Sequence, residues 1–278
     1  MAQKGQRYLV VFYVALTALT SCGYSASQRF LGKANDYGFN EIVIPTENFA
    51  LKAYTNTAFE NERGGILHIY LAGDGVPFFR DQYINPDPTP KRALTLDLMA
   101  LDQAPSILIG RPCYHYESRQ DNQNTLCNDH RWWTTHRYSE DVVNALNEAI
   151  RTYTSNNKEI VIIGFSGGGT LAALLAQKLQ NVRVVVGISP NLDIGAWTDF
   201  HDYTPLYGSL NPRDSIEKWP TGTRGILLSG QQDKNVPANL WRAHYEGVEH
   251  VEIINYANFT HTCCWSEIWP EFLSELSD

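Results

Sequence analysis

Apolar residues recur along this chain in two rhythms. Short, near-continuous runs fall at residues 66–72, 106–109, 160–163, 182–188, 224–229 and 251–255. Runs of that length, rich in Ile, Val and Leu, predict strands buried on both faces, as in a parallel sheet. Between them the apolar positions return at helical spacing. Val142, Val143, Leu146, Ala149, Ile150 and Tyr153 form one such stripe. Ser139 stands before it as an N-cap, with Glu140 and Asp141 in the first turn, where the helix dipole favours acids. Helices are also predicted over residues 93–101, 170–179, 239–245 and 266–276. Residues 41–44 and 49–54 flank a Pro-containing turn and suggest an edge hairpin. Strands alternating with helices predict an α/β architecture: a mostly parallel, doubly wound sheet with helices on both faces. No linker or repeat divides it, so residues 38–278 are expected to form one domain. The stretches near 112–138 and 191–219 are expected as insertions at the sheet edge where binding loops lie.

The N-terminus adds an address. Lys4 and Arg7 precede an apolar run over residues 8–19, followed by Leu19-Thr20-Ser21-Cys22. A charged start, a short apolar stretch and small residues predict a secretory signal peptide over residues 1–21. The run is shorter than the ~20 residues of a spanning helix. The segment resembles a bacterial lipobox, which implies lipidation (palmitate or a related acyl chain) at Cys22, with residues 22–37 as a tether. Gly23, rather than Asp, follows the cysteine. By analogy that implies the outer membrane of the cell envelope, facing the periplasm.

Composition narrows the partners. Hydrophobic content of 43% fits a folded domain, and a net charge of -8 gives no support to nucleic-acid binding. Beyond Cys22 four cysteines remain, an even number compatible with an oxidising compartment. Cys113 and Cys127 flank a polar stretch, and a disulfide between them would stabilise the fold by about 3 kcal/mol through the unfolded state. For Cys263 and Cys264 a vicinal bridge, two free thiols and pairing elsewhere all stand open. No Cys or His spacing matches a structural zinc site, so no metal or cofactor is expected.

The chemistry concentrates at Gly164-Phe165-Ser166-Gly167-Gly168, a G-x-S-x-G sequence between an Ile/Val strand and an Ala/Leu helix. That strand–turn–helix setting is the one a nucleophile elbow needs, and it predicts the α/β-hydrolase fold with Ser166 as nucleophile. A Walker A loop would need a Lys after its last Gly, and none follows here. Serine needs a base, and the base needs an orienting acid. In this fold they follow the serine in the order acid, then His. Asp233 lies in the loop after the strand at 224–229, and His261 lies just past the strand at 251–255. Asp193, after the preceding strand, is the rival acid. An oxyanion hole is expected from the amides of Gly167 and of Asp74 in Ala72-Gly73-Asp74-Gly75, with Gly75 as an alternate. Together these residues predict acyl transfer through an acyl-enzyme, on a small-molecule or acyl substrate.

An ordered set of further motifs runs from about residue 41 to the C-terminus: Ile69-Tyr-Leu-Ala-Gly-Asp-Gly75, Gly110-Arg-Pro-Cys113, Trp133-Thr134 with Arg137, Gly164-Phe-Ser-Gly-Gly-Gly169, Asn191-Leu-Asp193, Trp197-Thr198 with His201, and Gly208-Ser-Leu-Asn-Pro212. The set resembles a family of bacterial exported α/β-hydrolase-like proteins, often lipoproteins. The resemblance implies the hydrolase fold and a nucleophile at Ser166; it implies no substrate and no oligomeric state. Arg111, Trp133, Arg137, Trp197 and His201 are expected either to line the site or, as the favoured reading, to form a buried network holding the insertions. Three functions compete: an esterase, a peptidase or amidase on the same fold, and a non-catalytic envelope lipoprotein that binds on a hydrolase scaffold.

Overall fold

The computed structural model describes residues 24–61, 65–80, 82–116, 124–154 and 158–276. The signal peptide expected at 1–21 and the lipidation expected at Cys22 lie outside the described residues.

An eight-stranded sheet forms the centre, in the order β1-β2-β6-β3-β7-β8-β9-β10. β1 (Asn40–Pro45) and β2 (Ala50–Thr55) make the edge hairpin, and β2 runs antiparallel to β6 (Ser106–Ile109). From β6 onward, β3 (Ile66–Leu71), β7 (Glu159–Phe165), β8 (Val182–Ile188), β9 (Arg224–Gly230) and β10 (Val251–Tyr256) are parallel.

Alternation of side chains sorts the core into two layers. Leu67 and Ile69 of β3 and Ile160 and Ile162 of β7 face one side, with α4 (Glu140–Arg151) and α5 (Gly167–Ala176). Tyr70 of β3 and Val161 and Ile163 of β7 face the other, with α3 (Leu94–Met99) and α8 (Trp265–Leu276). Ser139 caps α4 as its sequence predicts, accepting from the Val142 amide. The chain from 239 to 245 is less regular than expected: a 3-10 turn over Ala238–Leu240, then the single-turn helix α7 (Arg242–Tyr245).

The expected tether is the main correction. Residues Ala26–Asp36 form helix α1, packed on the domain. Ser25 and Gln28 close a reciprocal capping box at its start. Phe30 and Ala34, one turn apart, are buried; Phe30 packs on the rings of Tyr54 and His115. Ser27 bonds Asp87 and Thr89. A segment with that much buried contact is part of the domain, whose described boundary moves from 38 to the start of α1.

The expected insertions carry structure of their own. Cys113 and Cys127 are bonded in the first, with Cα atoms 5.4 Å apart. Trp133 is buried there, its indole N–H donating to the Asn85 carbonyl. The second contains α6 (Ile194–Phe200) and a 3-10 stretch over Pro212–Lys218. The short helix α2 (Thr57–Glu60) and the small hairpin of β4 (Phe78–Phe79) and β5 (Tyr83–Ile84) complete the elements. Among the described residues no helix is long and apolar enough to cross a membrane.

Candidate active site

β7 ends at Phe165 and α5 begins at Gly167, so Ser166 alone makes the reversal. Its φ is 53°, the left-handed region that non-glycine residues avoid. The turn closes because its flanks are bare: a Cβ on Gly164 would lie 2.2 Å from the Gly168 carbonyl oxygen. Backbone bonds fix the distorted residue. Its amide donates to the Ile188 carbonyl, and its own carbonyl accepts from Gly169, Thr170 and Asn191. α5 starts one residue after the serine, three earlier than its apolar spacing predicts, because the glycines themselves form the first turn. The Gly167 amide therefore sits at a helix N-terminus, where amides have no helical acceptor and the dipole favours negative charge.

Three side chains predicted from separate loops meet here. His261 Nε2 is 3.1 Å from Ser166 Oγ, and His261 Nδ1 is 2.8 Å from Asp233 Oδ2. Asp233 follows β9, and its other oxygen, Oδ1, accepts from the amides of Asn235 and Val236. One oxygen thus anchors the carboxylate and the other faces the imidazole. Burial opposes the Asp233 charge, yet the His261 hydrogen bond and charge and the two amides outweigh it, holding the carboxyl below its ordinary range. An ionised carboxylate only accepts, so Nδ1 carries the ring proton and Nε2 is left to accept from the Ser166 hydroxyl. The His261 ring leans on Phe165, and its backbone carbonyl accepts from the Trp265 indole.

Asp193, the rival acid, is elsewhere occupied. It caps α6 through the Ala196 amide and pairs with Arg213 at 2.9 Å. Cys263 and Cys264, two and three residues beyond His261, are bonded to each other.

Asp74 lies beside Ser166 in the loop after β3. A Cβ on Gly73 would stand 3.4 Å from Ser166 Cβ, and one on Gly167 would stand 2.0 Å from Asp74 Oδ1. The Asp74 carboxylate and the Tyr138 hydroxyl therefore press directly on the Gly167 backbone, and only glycine fits at 167. The Asp74 carboxylate is engaged by three side chains. It accepts from Arg111 at 2.7 Å, Arg137 at 3.0 Å and the Tyr138 hydroxyl at 2.6 Å, while the Asp74 carbonyl accepts from the Tyr114 hydroxyl. Burial opposes its charge, but the two guanidinium groups and Tyr138 bring its pKa down to about 2. Arg111 and Arg137 thus form the expected buried network, and Arg137 also reaches the cavity wall. Trp197 lines that wall as well, while the His201 ring is 2.7 Å from the Asn235 carbonyl, beside Asp233. Tyr138 and Tyr114 carry no local sequence signal for this role; before an N-cap and after a cysteine, each reads only as a core aromatic.

Above Ser166 and His261 opens a cavity of about 820 Å³. Phe78, Ile84, Phe165, Trp197 and Leu206 give it an apolar wall, and Asp74, Lys91, Arg92 and Arg137 add charge. Among the described residues no group of three or more His, Cys, Asp or Glu is placed to hold a metal ion.

Residues 105–263, more than half of the chain, match the model of the Dienelactone hydrolase family. The chain belongs to this family. It is accordingly a hydrolase of the α/β fold, and the matched segment runs through Ser166, Asp233 and His261. Among solved structures this dienelactone hydrolase family member is similar to the esterase Pf2001 of Pyrococcus furiosus, with a TM-score of 0.60, 15% identity, and 87% of this chain and 91% of that chain covered. It is similar too to Est1E from Butyrivibrio proteoclasticus (TM-score 0.57, 12% identity, 85% and 97% covered). An acylaminoacyl peptidase of Pyrococcus horikoshii matches at a TM-score of 0.60 and 9% identity, over 86% of this chain and 41% of that one. At these identities the likeness is one of fold. No curated protein matches the chain.

Proposed function

We propose that this protein is a serine esterase in which Ser166, His261 and Asp233 act as a catalytic triad. The observation that carries the reading is the unbroken hydrogen-bond chain from Ser166 Oγ through both His261 nitrogens to Asp233. Ser166 attacks the ester carbonyl carbon while His261 Nε2 takes its proton. The carbonyl oxygen becomes an oxyanion, held by the amides of Gly167 and Asp74; one such donor contributes about 3 kcal/mol to the barrier reduction. Collapse expels the alcohol, which leaves with the proton from His261. Water then attacks the acyl-enzyme with His261 again as base. Asp233 keeps the Nδ1 proton in place and stabilises the imidazolium. The Arg111, Arg137 and Tyr138 bonds to the Asp74 carboxylate support this reading, because they fix the loop whose amide is needed.

An ester is favoured over a peptide with a free amino terminus. Such an amine wants a carboxylate in the cavity, and Asp74 is already paired with two arginines. The lipobox-like segment ending at Cys22 supports an envelope location with a lipid anchor at the membrane.

A fluorophosphonate probe tests the reading. Labelling of the wild-type chain that disappears in Ser166→Ala is expected. Folded wild type that takes no label would leave only the binding scaffold. A panel of p-nitrophenyl esters against amino-acid amides is expected to give turnover on the esters; turnover on the amides alone would make the protein an amidase.

A further inference from the structure

The mouth of the Ser166 cavity is framed by two segments remote in sequence. β4 and β5 supply Phe78 and Ile84 to the lining, and the chain after α6 supplies Tyr203 and Leu206. Both segments also carry large apolar side chains that lie outside the cavity and face water. Phe79 and Tyr83 are 50% and 58% exposed; Phe200 and Tyr207 are 53% and 81% exposed. Scattered exposed aromatics are ordinary, but a set gathered around one cavity entrance marks a surface that something covers.

We propose that this rim seats on a lipid surface, and that the substrate is an acyl ester embedded in that surface. The proposal rests on the esterase reading and names its substrate class. The occupant follows from the position of the rim. Whatever covers these rings also covers the cavity that contains Ser166. A protein partner or a second copy seated there would shut the substrate out. A lipid surface covers the rings and delivers an acyl chain into the apolar wall in the same movement. The chemistry of the rim fits. Tyr83, Tyr203 and Tyr207 pair an apolar ring with a polar tip, the combination that settles at a membrane–water boundary. On the hairpin side, Arg80 lies over the Phe79 ring, and Lys91 and Arg92 stand exposed at the cavity edge. Long cationic stems of this kind run along apolar surface with their heads in the headgroup layer. Asp199 and Asp202 stand on the opposite side, so the surface needed is neutral or zwitterionic rather than strongly anionic.

The test uses the full chain and two double variants, Phe79→Ser with Tyr83→Ser, and Phe200→Ser with Tyr207→Ser. None of the four residues lines the cavity, and every chain keeps the same N-terminus. Two substrates share a leaving group: p-nitrophenyl butyrate in solution, and p-nitrophenyl palmitate embedded in phosphatidylcholine vesicles. Both variants are expected to match wild type on the dissolved ester, which also reports an intact fold. On the vesicle-borne ester each is expected to fall by about tenfold or more, the factor that losing the burial of one such ring carries. Equal rates on both substrates, or a rim-dependent dimer with no effect of lipid, would overturn the proposal. Failure of wild type on the dissolved ester would instead count against the esterase reading. Sedimentation of the full chain carrying Ser166→Ala and Cys22→Ser, which takes no acyl anchor, with phosphatidylcholine vesicles then tests the rim by itself, since it needs neither turnover nor the N-terminal lipid. The rim substitutions are expected to weaken that sedimentation, and unchanged sedimentation would sink the lipid assignment.

Discussion

At the scale of single residues, the two candidate acids separate cleanly. Asp233 spends one oxygen on two amides and offers the other to His261, whereas both oxygens of Asp193 serve the α6 cap and Arg213. Asp233→Asn keeps the shape but places an amide where only an acceptor serves, which favours the wrong imidazole tautomer. Its kcat is expected to fall by about 10⁴-fold, the size of effect known for that change in a serine triad. Asp193→Asn is expected to keep near-normal turnover and to lower the melting temperature. The reverse pattern in a steady-state assay of the two variants would reassign the acid. The residues that meet at Ser166 were legible because each follows a strand whose apolar run is unmistakable. Tyr138 was not legible. Its link to Asp74 spans 64 positions, and nothing in its local sequence separates a core phenol from one aimed at a carboxylate.

At the scale of elements, the buried strands stood out in the sequence and the edges did not. β7 and β8 are apolar on both faces, so a run of Val and Ile suffices to identify them. β4 and β5 are two residues each and exposed, and no burial pattern marks them. α1 is the instructive miss. Its capping residues, Ser25 and Gln28, lie in plain view, but its apolar stripe is thin, and its place just after the lipobox-like segment suggests a tether. What fixes it is tertiary: Phe30 against Tyr54 and His115, and Ser27 against Asp87 and Thr89. Phe30→Ala is therefore expected to cost about 3 kcal/mol or more, the range for emptying a buried aromatic site. Urea unfolding followed by circular dichroism would measure it. A loss below about 0.5 kcal/mol, the size of an ordinary surface change, would mean that α1 is a tether after all.

At the scale of the whole molecule, two buried titratable groups bind distant segments to the sheet, and both make the fold acid-sensitive. His115 joins α1, β2 and the loop holding Thr89. Burial outweighs the attraction of Asp87 and, with Lys52 and Arg111 nearby, lowers its pKa to about 3 from the ordinary 6.5. The native state thus holds His115 neutral while the unfolded chain takes a proton below 6.5. Stability from this group is complete above pH 6.5 and is lost as pH falls toward 3. Asp74 joins the β3 loop to the first insertion through Arg111, Arg137 and Tyr138. Its pKa of about 2, against an ordinary 3.8, gives stability that is complete above about pH 4 and is lost as pH falls toward 2. That loss amounts to about 2 kcal/mol. Acid unfolding should accordingly begin with His115 and steepen with Asp74. His115→Asn suits the positive φ of 66° at that position and cannot take the proton. It is expected to be less stable at neutral pH, for lack of ring packing, yet flatter between pH 6.5 and 4. Asp74→Asn is expected to lose stability at every pH, because two buried guanidinium groups lose their partner, and to flatten only below pH 4. The urea midpoint measured against pH separates the two windows. A His115→Asn profile parallel to wild type across pH 6.5 to 4 would show that the early loss arises elsewhere in the chain.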